Sequence, residues 1–215
     1  MSPASTIERM CAPTPYARNQ EIYCQGWPAD HLYKIDSGCV RAFHTLEDGR
    51  RQLVAFYMAG DIFGLEARDL HTISTEATTP SQIRLLKRKA LAARGGAAAM
   101  CRYQLELMSE HLLRARKHNL LLLQGAQDRV VGFLREMSRR GQGQREIELL
   151  MSRRDIADYL GLTIETVSRT FSRLETAAAI SLPSPWRIVL RDASALNRSP
   201  AAPRQPTLPN SLSPT

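Results

Sequence analysis

The stretch Ser152-Arg-Arg-Asp-Ile-Ala-Asp-Tyr-Leu-Gly-Leu-Thr-Ile-Glu-Thr-Val-Ser-Arg-Thr-Phe-Ser-Arg-Leu-Glu175 constrains this chain more than any other. It specifies two short helices joined by a tight turn. Ser152 can cap the first helix, and Asp155, three residues on, supplies the second half of a partial capping box. Ile156, Ala157 and Leu160 then recur on one face at helical spacing. Gly161 falls where a helix end wants a residue able to take positive φ. Thr163 can cap the second helix, and Glu165 lies in its first turn, where the helix dipole favours an anion. Val167, Phe171 and Leu174 form that helix's buried stripe. Glu165, Thr166, Ser168, Arg169, Ser172 and Arg173 are left outside it.

The exposed set is the informative half. A helix entering a DNA major groove needs Arg and short polar groups near its N-terminal half. Arg grips guanine O6 and N7 as a fork, Glu accepts from a cytosine amino group, and Ser, Thr or an apolar methyl meets a thymine. Thr163, Thr166, Ser172 and Arg173 flank that edge and suit phosphate contacts, as do Ser152, Arg153 and Arg154 at the start of the first helix. On the residues alone, a plain helical hairpin with a solvated polar face stays open as the other reading.

The run Asp155-Ile-Ala-Asp-Tyr-Leu-Gly-Leu-Thr-Ile-Glu-Thr-Val-Ser-Arg169 resembles the winged helix-turn-helix of the Crp/Fnr family of bacterial transcription regulators. Glu165-x-x-Ser168-Arg169 is similar to the Fnr and FixK branch, which reads half-sites of the TTGA…TCAA type. The resemblance implies that Arg169 takes the guanine, Glu165 the opposite cytosine or a neighbouring base, and Ser168 the thymine. Ile164, at the helix entrance, would add a methyl contact. It further implies a homodimer on a palindromic operator, recruiting RNA polymerase, mainly as an activator of low-oxygen, respiratory or nitrogen-fixation genes.

Composition is compatible with this and decides little. The 215 residues suit one large domain or two small ones, and 43% apolar content supplies packed cores. A formal charge of +8 favours a polyanionic partner, although many basic proteins bind no nucleic acid. No apolar run approaches the ~20 residues of a membrane span, and the N-terminus has no charged-then-apolar secretory pattern. Cys11, Cys24, Cys39 and Cys101 are scattered, as reduced thiols in a cytosol would be, so a cytoplasmic location is expected. No nucleophile elbow, metal-ligand cluster, P-loop or paired-carboxylate motif suggests an enzyme.

Taken in order, residues 1–20 read as a loose, Pro-bearing arm. From Glu21, short strand-like runs are separated by Gln25-Gly26, Asp36-Ser37-Gly38, Glu47-Asp48-Gly49 and Ala59-Gly60-Asp61. They indicate a β sandwich or barrel, and the family resemblance makes 21–96 a double-stranded β roll of cupin-like jelly-roll type. The overall class is therefore α+β. A helix over 97–126 carries Leu105, Met108, Leu112, Ala115, Asn119, Leu122 and Ala126 at alternating spacings of three and four, the register of a coiled-coil seam. Leu113, Leu120 and Leu123 widen its apolar face, so packing on its own β roll is expected alongside dimer pairing. Residues 127–192 form the DNA-binding unit, with Ile180 to Leu190 as the wing. Within the wing, Arg187 reaches a phosphate or is simply solvated. Residues 193–215, rich in Pro and Ser, are expected to be disordered.

The fold invites a cyclic-nucleotide sensor. Gly64-Leu65-Glu66 keeps a Glu one place later than cAMP-binding relatives do, and no Arg-Ser pair follows; Arg68, the nearest cation, comes too early. A cyclic phosphate then lacks a bidentate partner. An iron–sulfur cluster needs closely spaced thiolates, and Cys11 alone lies near the N-terminus. His31, His44, His71 and His111 have no haem motif around them. The expectation is a regulator with no cofactor and no metal; the alternative is gating by a cyclic nucleotide or haem in the β roll.

Overall fold

The computed structural model describes residues 11–66, 68–89, 97–141 and 145–191. The first half of the expected arm, the Gly95-Gly96 pair, the middle of the basic loop at 142–144 and the 193–215 tail lie outside them.

Eight strands build the N-terminal half: β1 (Pro13–Tyr16), β2 (Glu21–Tyr23), β3 (His31–Ser37), β4 (Cys39–Thr45), β5 (Arg51–Met58), β6 (Ile62–Phe63), β7 (Ser74–Ala77) and β8 (Ser81–Lys87). They form two four-stranded sheets, in the orders β1-β8-β3-β6 and β2-β7-β4-β5. The space between is filled by Tyr23, Tyr33, Ile35, Val40, Phe63 and Ile83. Tyr33 and Tyr57 stack on Phe63 at 5.1 and 4.9 Å between ring centroids. The turn after β3 shows why Gly38 is there. Its φ is +92°, and a Cβ would lie 2.7 Å from the Pro80 carbonyl oxygen, so a side chain is excluded by both backbone conformation and space.

The arm reading fails at residues 13–16. These pair antiparallel with β8, from Pro13 opposite Arg84 to Tyr16 opposite Ser81. Two prolines in four residues argue against a central strand, but β1 lies at a sheet edge, where a missing N–H costs no ladder bond.

Helix α1 (Ala97–Leu122) runs from the roll toward the C-terminal half. One of its faces is occupied within the chain. Leu107 packs against Leu32, Ile62 and Leu86, the His111 ring lies on Tyr57, and Arg114 donates to Asp61 at 2.9 Å. The flanking face, about 110° around the helix, leaves Leu105, Met108, Leu112, Ala115 and Asn119 exposed. The helix stops earlier than its leucine pattern implies. Leu123 and Gln124 donate to Leu120 and Leu121 in a tightened last turn, and Gly125 is extended at the start of α2 (Ala126–Arg140). Ala126 thus belongs to α2, and Leu122 is half-buried, so the exposed part of the expected seam ends at Asn119.

The C-terminal half comprises α2, β9 (Glu146–Glu148), α3 (Arg153–Leu160), α4 (Ile164–Thr176), β10 (Ile180–Ser184) and β11 (Arg187–Leu190). The three strands make one sheet in the order β10-β11-β9. Its core does not close on itself. Cys39, Phe43, Leu53 and Phe56 from the roll join Val130, Phe133, Leu134, Ile156, Phe171 and their neighbours in a single apolar cluster.

Candidate nucleic-acid interface

The turn between α3 and α4 is built by local chemistry. The Asp155 backbone N–H donates to Ser152 Oγ at 3.1 Å, and Ser152 N–H donates to Asp155 Oδ2 at 2.9 Å, closing the capping box. Gly161 ends α3 at φ +61°, ψ +42°, the left-handed conformation. Arg129 donates to the Leu160 and Gly161 carbonyl oxygens at 3.0 and 3.3 Å, satisfying the orphaned end of that helix. Thr163 Oγ1 accepts from Thr166 N–H at 3.2 Å and starts α4.

Val167, Thr170, Phe171 and Leu174 face inward from α4, with the Thr170 hydroxyl spent on the Thr166 carbonyl at 2.8 Å. Glu165, Ser168 and Arg169 are exposed. At 100° per residue they fall within about 100° of arc on the side opposite the buried stripe. The Glu165 carboxyl is held below its usual range by its own backbone N–H and by the Thr163 hydroxyl, so it is an ionised acceptor. Arg154, Thr163, Ser172 and Arg173 are also exposed, and Thr166 and Ile164 are half-buried, Ile164 against the apolar core.

Three residues of the expected phosphate set are placed otherwise. Arg153 lies with its guanidinium 3.7 Å above the Phe171 ring, and burial lowers its pKa. It braces α3 on α4 rather than projecting outward. Ser152 Oγ is committed to the cap, donating to Asp155 Oδ2 at 2.6 Å as well as accepting. Arg187 is ion-paired with Glu146 across the wing sheet.

The FixK nitrogen fixation regulation protein of Azorhizobium caulinodans is 43% identical over 203 residues, covering 91% of this chain and 82% of that relative. This chain belongs to the Crp/Fnr family, in its FixK branch. The Rhizobium meliloti FixK protein is 40% identical over 168 residues, covering 78% of this chain and 77% of its own. The solved structure of FixK2 from Bradyrhizobium japonicum superposes with a TM-score of 0.82 at 38% identity, covering 90% of this chain and all of that one. Residues 128–199 match the Crp-like helix-turn-helix domain, and residues 13–93 the cyclic nucleotide-binding domain. The protein is accordingly a DNA-binding transcription regulator of the Crp/Fnr fold.

In this Crp/Fnr protein a cavity of about 220 Å³ lies between the β roll and α1, lined by Tyr23, Tyr57, Gly64, Glu66 and His111, among others. That is smaller than the ~300–1,000 Å³ of most ligand pockets. Its carboxylate is already engaged: Glu66 is 3.2 Å from His71 Nδ1 and 3.5 Å from Arg88 Nη2. Arg88, on the segment after β8, is the cation that reaches Glu66; Arg68 is exposed and offers only its carbonyl to Arg88. His71 is buried and stacked on Tyr23 at 3.6 Å between centroids. Among the described residues no three His, Cys, Asp or Glu side chains are grouped to hold a metal ion, and no helix is long and apolar enough to cross a membrane.

Residue reading missed the polar contacts between the two halves. Arg140 donates to the Phe56 carbonyl at 2.9 Å and pairs with Asp61, which also holds Arg114. The Thr78 hydroxyl donates to the Leu150 carbonyl at 2.7 Å, and His118 Nε2 lies 2.8 Å from the Tyr159 carbonyl. Arg41 reaches Asp155 at 2.7 Å. These pairs are far apart in sequence and carry no spacing signal.

Proposed function

We propose that two copies pair through the exposed stripe of α1 and that the pair reads a palindromic TTGA…TCAA-type operator. Each α4 enters one of two successive major grooves, about 34 Å apart. Arg169 takes the guanine, Glu165 the opposite cytosine and Ser168 the thymine, with Ile164 at the rim. Arg154, Thr163, Thr166, Ser172 and Arg173 contact phosphates. The bound dimer recruits RNA polymerase, mainly as an activator. The names of the FixK relatives favour low-oxygen and nitrogen-fixation genes as its targets. The reading requires no small-molecule effector, which agrees with a roll cavity whose carboxylate is already paired.

The observation that carries this proposal is the joint exposure of Glu165, Ser168 and Arg169 on α4, with the helix anchored behind them by Val167, Phe171 and Leu174. Gel shifts on operators substituted one base pair at a time test it. Arg169→Ala should lose preference at the guanine by about 1–3 kcal/mol while keeping the other positions. Unchanged discrimination there removes Arg169 from base reading.

A further inference from the structure

We propose that Arg41 is a positioning residue for DNA reading, a latch that ties the β roll to the first turn of the helix-turn-helix through the Asp155 carboxylate. The inference rests on the paired reading proposed above.

Arg41 stands on β4, outside everything assigned to DNA contact. Its guanidinium divides between the two halves of the chain. Nε and Nη2 donate to Glu76 Oε2 at 3.1 and 2.6 Å, within the roll. Nη1 donates to Asp155 Oδ1 at 2.7 Å, across to α3. Nη2 also lies 3.4 Å from Asn19 Oδ1. Glu76 is braced from its other oxygen by Arg51 at 2.8 Å. The carboxylate side chains of Glu76 and Asp155 are each 9% exposed and that of Arg41 18%. The fork is therefore largely withdrawn from water, where its geometry is held more firmly than in a surface pair.

Asp155 serves two functions with two oxygens. Oδ2 receives the Ser152 N–H and O–H and closes the capping box. Oδ1 receives Arg41. Capping alone leaves that second oxygen free to face solvent, so its pairing with the roll adds a constraint beyond helix formation. The constraint is passed on: Arg153, two residues earlier, sits on the Phe171 ring of the reading helix. The path runs from β4 through Asp155 and α3 to α4. Thr78 on Leu150 and His118 on Tyr159 hold the same segment at its two ends. With the latch closed, α4 has one orientation relative to α1, and the two reading helices of a dimer have one separation. With it open, the helix-turn-helix gains freedom about the α1–α2 joint, and each copy still reads its own half-site.

The test compares full-length parent, Arg41→Gln and Arg41→Lys on a single half-site, on the palindrome, and on palindromes with one base pair added to or removed from the centre. Circular dichroism and sedimentation confirm folded dimers. The expected result is an unchanged half-site affinity, an affinity for the palindrome lowered about tenfold, the scale of coupling between contacting charged groups, and a flattened spacing profile. Arg41→Lys, which keeps the charge and loses the fork, falls between. It also carries the test should Arg41→Gln fail to fold. A folded variant with the parent's spacing profile overturns the latch alone. A parent that binds the palindrome no better than a half-site overturns the paired reading, and the latch with it.

Discussion

Leu112→Glu is the substitution that bears most directly on the proposed dimer. In the single chain Leu105 is 59% exposed, Met108 44%, Leu112 53% and Leu120 63%. Full burial of a leucine side chain is worth about 1.5–3 kcal/mol, so covering the remaining half of Leu112 contributes about 1 kcal/mol per copy. The two-fold axis doubles this to about 2 kcal/mol. The substitution removes that gain and places two carboxylates in an apolar seam, which costs at least as much again. A total near 4 kcal/mol corresponds to a dimer about a thousandfold weaker. Sedimentation velocity at concentrations where the parent is dimeric should therefore show folded Leu112→Glu monomers. Leu107→Glu is the control. Leu107 packs against Leu32, Ile62 and Leu86 of its own roll, so its loss should unfold that region before it dissociates any dimer. A Leu112→Glu dimer at parental strength, or a folded monomer produced by Leu107→Glu, refutes the assignment of the two faces.

Two further outcomes follow from local geometry. At Gly161 a Cβ would meet Arg129 Nη1 at 3.4 Å and Leu122 Cδ2 at 4.0 Å, both ends of flexible side chains, so Gly161→Ala pays in backbone strain at φ +61° and not in a clash; a loss of about 1–2 kcal/mol is expected, each kcal/mol lowering Tm by roughly 2–4 °C, and an unchanged Tm contradicts it. His118 is buried, its Nε2–H donates to Tyr159, and burial lowers its pKa, so the folded state resists a proton that the unfolded chain accepts near pH 6.5. Its contribution is present above that pH and is lost as pH falls below it; urea midpoints at pH 7 and 5.5 should fall less for His118→Gln than for the parent, and equal falls exclude His118 as a source.

The parts legible in the sequence are those whose physics is local. Ser152, Asp155, Gly161 and Thr163 act on groups within a few residues of themselves, so their spacing announced the caps and turn that the structure shows. The inward stripe Val167, Phe171 and Leu174 follows from helical period alone. Misreadings arose where a distant partner decides. Pro13 and Pro15 look like breakers until β8 is known to lie on one side only. Arg153 looks like a phosphate ligand until Phe171 is found beneath it. Leu122 and Ala126 continue the seam spacing after Asn119, yet Gly125 ends the run, Ala126 starts the next helix and Leu122 turns half inside.

The same distinction bears on how the molecule works. A boundary at residue 127 divides the chain by composition, but it does not divide the core. Phe56 of β5 meets Tyr159 of α3 at 5.1 Å and Phe133 of α2 at 6.5 Å between ring centroids, inside one continuous apolar cluster. Around that contact Asp61 holds Arg114 and Arg140, and Arg41 holds Asp155. Domains joined by a small polar interface move by default, and an effector can then act by choosing an orientation. Here a large change of orientation must open shared apolar core, while the Arg41–Asp155 pair limits the smaller displacements that the core would allow. In the effector-free reading proposed above, this shared core and the Arg41–Asp155 pair are what hold the reading unit to the roll as the chain folds.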